Sequence, residues 1–343
     1  MDENINSTYE IPDRLSQYGP ILKFWFIFLE PWFIIGGILG NIAILCVMPL
    51  KSVNIRWSMK IYYLTIAFFD LYNIINSWVM WTTINDTLCV LTNCQIFFPL
   101  TATIDLACKI IFTGWTVAEI MSNYTLVTML FEKTLVVMYP LKAKSFVNTK
   151  FRIILFSIFV FPPVLAVSPF NPFVAAVLKP KFKQDYTHCY YDTYHPLYEY
   201  VFWSTHIFMF GIHEVLSCIL SAILALALLH QVRQRTKLIH KQITDTKEMG
   251  TIITILILGV INFLNFIPVT FLTFAFFMID SSNFSDQINA LLDDLWGTAY
   301  QGVIVAHAIN FPLYFLRIEQ FRTVFTGRFK KAKLDTRSTT KPQ

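Results

Sequence analysis

Residues Cys108–Leu141 read CKIIFTGWTVAEIMSNYTLVTMLFEKTLVVMYPL. The run is largely apolar, carries Glu119, Ser122 and Asn123 near its middle, and holds a charged pair, Glu132-Lys133, near its end. At a rise of about 1.5 Å per residue, a helix from Cys108 to Lys133 is roughly 37 Å long, enough to cross a ~30 Å hydrocarbon layer obliquely. A cysteine then stands at one face of a membrane and an ionisable pair at the other.

The whole chain agrees with that first stretch. Its 343 residues are 55% hydrophobic and 14% charged, with 33 Phe, and its mean hydropathy is +0.53. Soluble domains carry about 25% charged residues, so this surface is not made for water. The net charge of +5 is dispersed, and no basic or acidic block marks a nucleic-acid arm. Six Cys without a CxxC pair, and no His/Cys cluster, imply no structural zinc. No nucleophile–base set is visible, so no enzyme is expected. The first twenty residues are polar and acidic (Asp2, Glu3, Glu10, Asp13) with no basic n-region. No cleaved signal peptide is expected, and the first hydrophobic segment does the targeting.

Read with a window of about 19 residues, the chain holds seven long apolar segments. They are Ile21–Met48, Met59–Ile84, Leu106–Val137, Phe151–Val174, Tyr198–Leu229, Gly250–Ile279 and Leu291–Leu316. Backbone polar groups in lipid must be paired within the segment, so each crossing reads as a helix. Twenty-one of the 27 Lys and Arg fall on the side of the loops after the first, third and fifth segments and of the C-terminal tail. Positive residues stay in the cytoplasm, which places the N-terminus outside the plasma membrane and the C-terminus inside. The sequons at Asn6, Asn85 and Asn283 all lie on the outer side, as glycan acceptors must. A fourth, at Asn123, lies inside the third segment and cannot be an acceptor.

The expected fold is therefore an all-α membrane protein, a seven-transmembrane helix bundle with a C-terminal interfacial helix. Residues 1–20 form an extracellular tail, 21–316 the bundle, 317–330 the interfacial helix and 331–343 a disordered cytoplasmic tail. The interfacial helix is read from Ile318, Phe321, Phe325 and Phe329, which recur at helical spacing with Arg317, Arg322 and Arg328 on other faces.

Polar residues inside the segments carry the functional reading. Asp70 sits mid-segment, where a charge costs about 2.5–3.5 kcal/mol on insertion scales, so it must face the bundle interior and find partners. Asn41, Ser122 and Asn310 lie at suitable depth. Gly36, Gly37 and Gly40 allow close helix approach. Cys46 and Cys218, in apolar segments, read as packing residues. Outside the cell Cys89, Cys94, Cys108 and Cys189 allow three disulfide pairings. Pro162, Pro163 and Pro169 should kink or end the fourth segment, and Pro268 makes a hinge in the sixth. His206, His213 and Glu214 in the fifth read equally as a ligand-facing cluster and as inter-helix contacts.

Taken together these residues resemble a rhodopsin-like G-protein-coupled receptor, over roughly Ile21–Phe329. Gly40-Asn41 is similar to the family's first-helix GN, and Leu64, Ala67 and Asp70 to its LxxAxxD. Cys108 precedes Lys133 by the family's interval from its disulfide cysteine to the centre of Asp-Arg-Tyr, and Pro140-Leu141 follows in register. Asn265-Phe266-Ile267-Pro268 stands where the family has Cys-Trp-x-Pro, and Asn310-Phe311-Pro312-Leu313-Tyr314 where it has Asn-Pro-x-x-Tyr. The departures are Glu132-Lys133-Thr134 for Asp-Arg-Tyr, Phe266 for tryptophan and Phe311 for proline. The fourth segment has no Trp, and the fifth lacks its usual Pro. Such drift is similar to nematode serpentine chemoreceptors and invertebrate neuropeptide receptors.

The resemblance implies an extracellular ligand, a chemosensory cue or a neuropeptide, bound among the third, fifth, sixth and seventh helices. It implies a pocket of Trp115, Glu119, His206, Phe266 and Tyr300, with Glu119 serving equally as a partner of His206 or His213. It also implies a Cys108–Cys189 disulfide, with Cys89–Cys94 as a second. A sodium ion near Asp70, Ser122 and Asn310 is implied by position, although His307 and Ala306 depart from the family there. Coupling to a heterotrimeric G protein is carried over to Glu132, Lys133, Pro268 and Tyr314. No Lys lies in Leu291–Leu316 to form a Schiff base, which excludes an opsin. The second reading is a multi-spanning transporter of small solutes, which would be expected to carry an internal repeat; the two halves show none.

Overall fold

In a computed structural model of the protein the structure describes residues 24, 28–53, 55, 57–80, 105–139, 149–160, 162, 164, 175–178, 188–191, 215–239, 246–278 and 286–327. The helices are α1 (Glu30–Val47), α2 (Trp57–Met80), α3 (Asp105–Met138), α4 (Thr149–Phe159), α5 (Val215–Ile239), α6 (Thr246–Met278), α7 (Asp286–Ala308) and α8 (Asn310–Arg317). A further helix, α9, covers 319–327. Among the described residues one antiparallel strand pair, β1 (Ala175–Leu178) with β2 (His188–Tyr191), is the exception to an otherwise helical structure.

The quoted stretch becomes the central element. α3 is 34 residues long and packs against α2, α4, α5, α6 and both strands of the pair. Around it α1 meets α2, α5 meets α6, α6 meets α7, and α7 closes on α1 and α2. From Trp115 to Leu130 nearly every α3 side chain is buried, so its polar residues face other helices and not a solvent.

α1 shows how sequence sets a buried face. Pro31 in the first turn and Glu30 at the start suit a helix N-terminus. Ile34, Gly37, Gly40, Asn41, Ile44 and Val47 then fall on one buried side at helical spacing. Two glycines there are needed for contact. A Cβ on Gly37 would lie 2.7 Å from Ile74 Cδ1, and one on Gly40 would lie 2.6 Å from Phe311 Cβ. Gly36, one position before, opens onto free space. Cys46 corrects an expectation: it is exposed and free on the outer side of α1, because Ile44, Val47 and Met48 take the packed side at that level.

Among the described residues, α1 is the one helix both long and apolar enough to cross a membrane. Ile219–Gln231 and Ile253–Val269 are shorter apolar stretches. In α3 the reason is that Thr113, Thr116, Glu119, Ser122, Asn123, Thr125 and Thr128 interrupt the apolar run between Lys109 and Glu132. Other boundaries move as well. Of the expected fourth segment, Phe151–Val174, α4 covers the start, Val164 N–H still donates to the Val160 carbonyl at 3.4 Å beyond it, and 165–174 lie outside the described residues. The seventh segment divides at Ile309 into α7 and α8, since Pro312 cannot donate to the carbonyl of Ala308. Ile318 is extended (φ −98°, ψ 93°) and turns the chain from α8 into α9.

One apolar cluster joins α1, α2, α3, α6, α8 and α9 and includes Ile44, Met59, Tyr63, Leu130, Ile255, Leu258, Tyr314 and Phe321. Phe311, Phe315, Phe321 and Phe325 stack on one another at 5.4–6.2 Å between ring centroids. This seats α9 against α8 through its apolar side, while Arg322, Thr323 and Thr326 stay exposed.

Candidate functional site

Two polar groups interrupt this apolar bundle. The first centres on Asp70, 1% exposed on α2. Its Oδ1 accepts a hydrogen bond from the Ser122 hydroxyl of α3, and its Oδ2 accepts one from Asn310 Nδ2 at the start of α8. His307 Nδ1, in the last turn of α7, lies 2.7 Å from Oδ1. A buried carboxylate is tolerated only when its lone pairs are met, and here three elements meet them.

His307 is itself tied on several sides. Asn73 Nδ2 lies 3.5 Å from its Nε2, and Asn41 Nδ2 donates to its backbone carbonyl at 3.2 Å. The Phe266 ring stands edge-on to it at 6.4 Å. The carboxylate of Glu119, buried on α3, lies within electrostatic reach. A cavity of about 20 Å³ remains beside Asp70, Ser122, Asn123, Asn262, His307 and Asn310, closed by apolar residues that include Ile66, Leu126 and Leu258. Asn262 Nδ2 of α6 donates to Asn123 Oδ1 at 3.3 Å, so the group links α2, α3, α6, α7 and α8.

The second group lies ten residues further along α3. Glu132 is 1% exposed and receives a two-pronged contact from Arg152 of α4, Nε to Oε2 at 2.8 Å and Nη2 to Oε1 at 3.0 Å. Tyr62 of α2 donates its hydroxyl to Oε2 at 2.9 Å. The planar fork of an arginine matches a carboxylate in this way, and a lysine cannot. Lys133, the next residue, is also buried.

The structure thus brings together Asp70, Ser122 and Asn310, but not Asn41, which turns to the His307 carbonyl. Of the pocket residues, Trp115, Glu119 and Phe266 are buried on α3 and α6. Tyr300 is on α7 with its side chain outside the described residues, and His206 lies outside them altogether. Tyr314 is buried on α8, its ring 4.7 Å from that of Tyr63. Pro268 sits inside α6. Near it Asn265 Nδ2 bonds the Ile261 carbonyl at 2.7 Å, an alternative use of a helix acceptor. Cys108 lies on α3 and Cys189 on β2, elements in contact, though neither side chain is described. Cys89, Cys94, Asn6, Asn85 and Asn283 lie outside the described residues. Asn123 is buried in α3.

Sequence reasoning did not assign His307, Arg152, Tyr62 or Asn262 to these groups. His307 had a signal, since it precedes Asn310 by three residues and shares its face. Arg152, at the start of the fourth apolar segment, enters the sequence reading only among the basic residues that set orientation. Among the described residues no group of three or more His, Cys, Asp or Glu could hold a metal ion. No family model and no curated protein matches this sequence.

Proposed function

We propose that this protein is a seven-transmembrane receptor of the rhodopsin-like G-protein-coupled kind, taking an extracellular ligand and signalling to a heterotrimeric G protein. The observation that carries the reading is the meeting of Asp70, Ser122 and Asn310, residues from three distant stretches, on one buried carboxylate. These are the positions that the resemblance picks out as a common polar core.

The reading makes physical sense of the other features. Helices with buried charge on one side and exposed Ile, Leu and Phe on another suit lipid outside and polar contacts within. Phe266 packs against Val303 and stands beside His307, so a ligand that shifts α6 also disturbs the Asp70 group. Such a ligand moves the equilibrium only by its unequal affinity for the two arrangements. Toward the cytoplasm, Glu132 is clamped by Arg152 and Tyr62, while Lys133 is the cation left in the family's Asp-Arg-Tyr position.

The test is expression in cultured cells with epitope tags at both ends. The N-terminal tag should be reached on intact cells and the C-terminal tag only after permeabilisation. A panel of neuropeptides and small odorants should then yield a G-protein-dependent cAMP or calcium response. Solute uptake without any G-protein signal would replace the receptor with the transporter, and an exposed C-terminal tag would remove the topology.

A further inference from the structure

The carboxylate that the resemblance offers to sodium is already met by the protein's own donors. A hard cation needs oxygen lone pairs directed at it. Around Asp70, however, the carboxylate lone pairs are already taken: the Ser122 hydroxyl and the Asn310 amide nitrogen donate to them, and a ring nitrogen of His307 lies against Oδ1. In the Nδ1–H tautomer, His307 donates to Asp70 while Nε2 accepts from Asn73. The remaining cavity of about 20 Å³ is little more than the room one water needs.

Sodium does not fit this donor set. We infer that His307 takes the place of a dissolved cation, partnering Asp70 from within the chain and joining α2 to α7 by a tethered contact. An ion arrives and leaves with salt concentration; a side chain leaves only when its helix moves. The junction is also braced on the far side of His307, where Asn41 of α1 holds the backbone carbonyl of the same residue. The state of the polar core is therefore set by the position of α7 and not by sodium outside the cell.

The test is thermal unfolding of the purified full-length protein in detergent, in ~0.15 M NaCl against the same concentration of choline chloride, so that ionic strength is constant. The natural protein should melt at one temperature in both salts. His307→Ala should acquire a saturable, sodium-specific rise of several degrees, because it frees an Asp70 lone pair and enlarges the cavity. His307→Ser, which supplies an oxygen ligand, should do the same and serves if the alanine variant does not fold. A saturable sodium-specific rise in the natural protein, abolished by Asp70→Asn, overturns the inference. So does a folded His307→Ala or His307→Ser protein that stays blind to sodium. Neither ligand nor G protein enters the measurement, so its failure leaves the receptor reading standing.

Discussion

Replacing Arg152 with Met should destabilise the protein more than any loop position would suggest. Glu132 is 1% exposed and has three short contacts, two from Arg152 and one from Tyr62. The substitution keeps a long apolar stem but removes both guanidinium contacts, leaving a buried carboxylate with one phenol. Truncating one partner of a buried pair costs about 3–5 kcal/mol. The Arg152 side chain is 19% exposed, so some water reaches the gap, and hydrogen bonds to charged groups are worth about 1.5–3 kcal/mol. The expected loss is therefore near the lower end, about 2–3 kcal/mol. Glu132→Leu in the same protein removes the stranded charge, and the double variant should return to within about 1 kcal/mol of the natural protein. Unfolding of all four proteins in one detergent gives the cycle. Losses that add to within about 0.5 kcal/mol would refute the clamp, because uncoupled sites add.

Two further perturbations probe packing and covalent structure. Gly40→Val should cost about 1–3 kcal/mol by driving a side chain into Phe311, whereas Gly36→Ala, facing open space, should be neutral or gain up to about 1 kcal/mol in helix propensity; equal melting temperatures for the two would contradict the α1–α8 contact. Cys108→Ala tests the Cys108–Cys189 disulfide that the resemblance implies: with that bond between α3 and β2, the variant should reach the cell surface in lower amount, and full maturation with an unchanged ligand response would exclude it.

Much of the helical framework was legible without coordinates. α1, α2, α3, α6 and α7 lie over apolar runs, because hydropathy and periodicity are local properties of consecutive residues. Asp70 also announced itself, since a charge in an apolar run must be buried and partnered wherever the helices go.

The choice of partners was not written locally. Asn41 looked as suitable for Asp70 as Ser122 did, in residue type and in depth, yet it bonds the His307 carbonyl. Helix rotation and crossing geometry decide such a difference. They depend on close contacts such as Gly37 on Ala308 and Gly40 on Phe311, summed over the whole bundle. His307 and Arg152 are hidden for the same reason: one reads as a departure from a motif and the other as one of many basic residues near a segment end. Each acquires its role only when a second helix brings a carboxylate within 3 Å. By itself the sequence determined which polar residues an apolar run must bury. Tertiary packing decided what each of them faces, because a partner's position is set by helices distant in the chain.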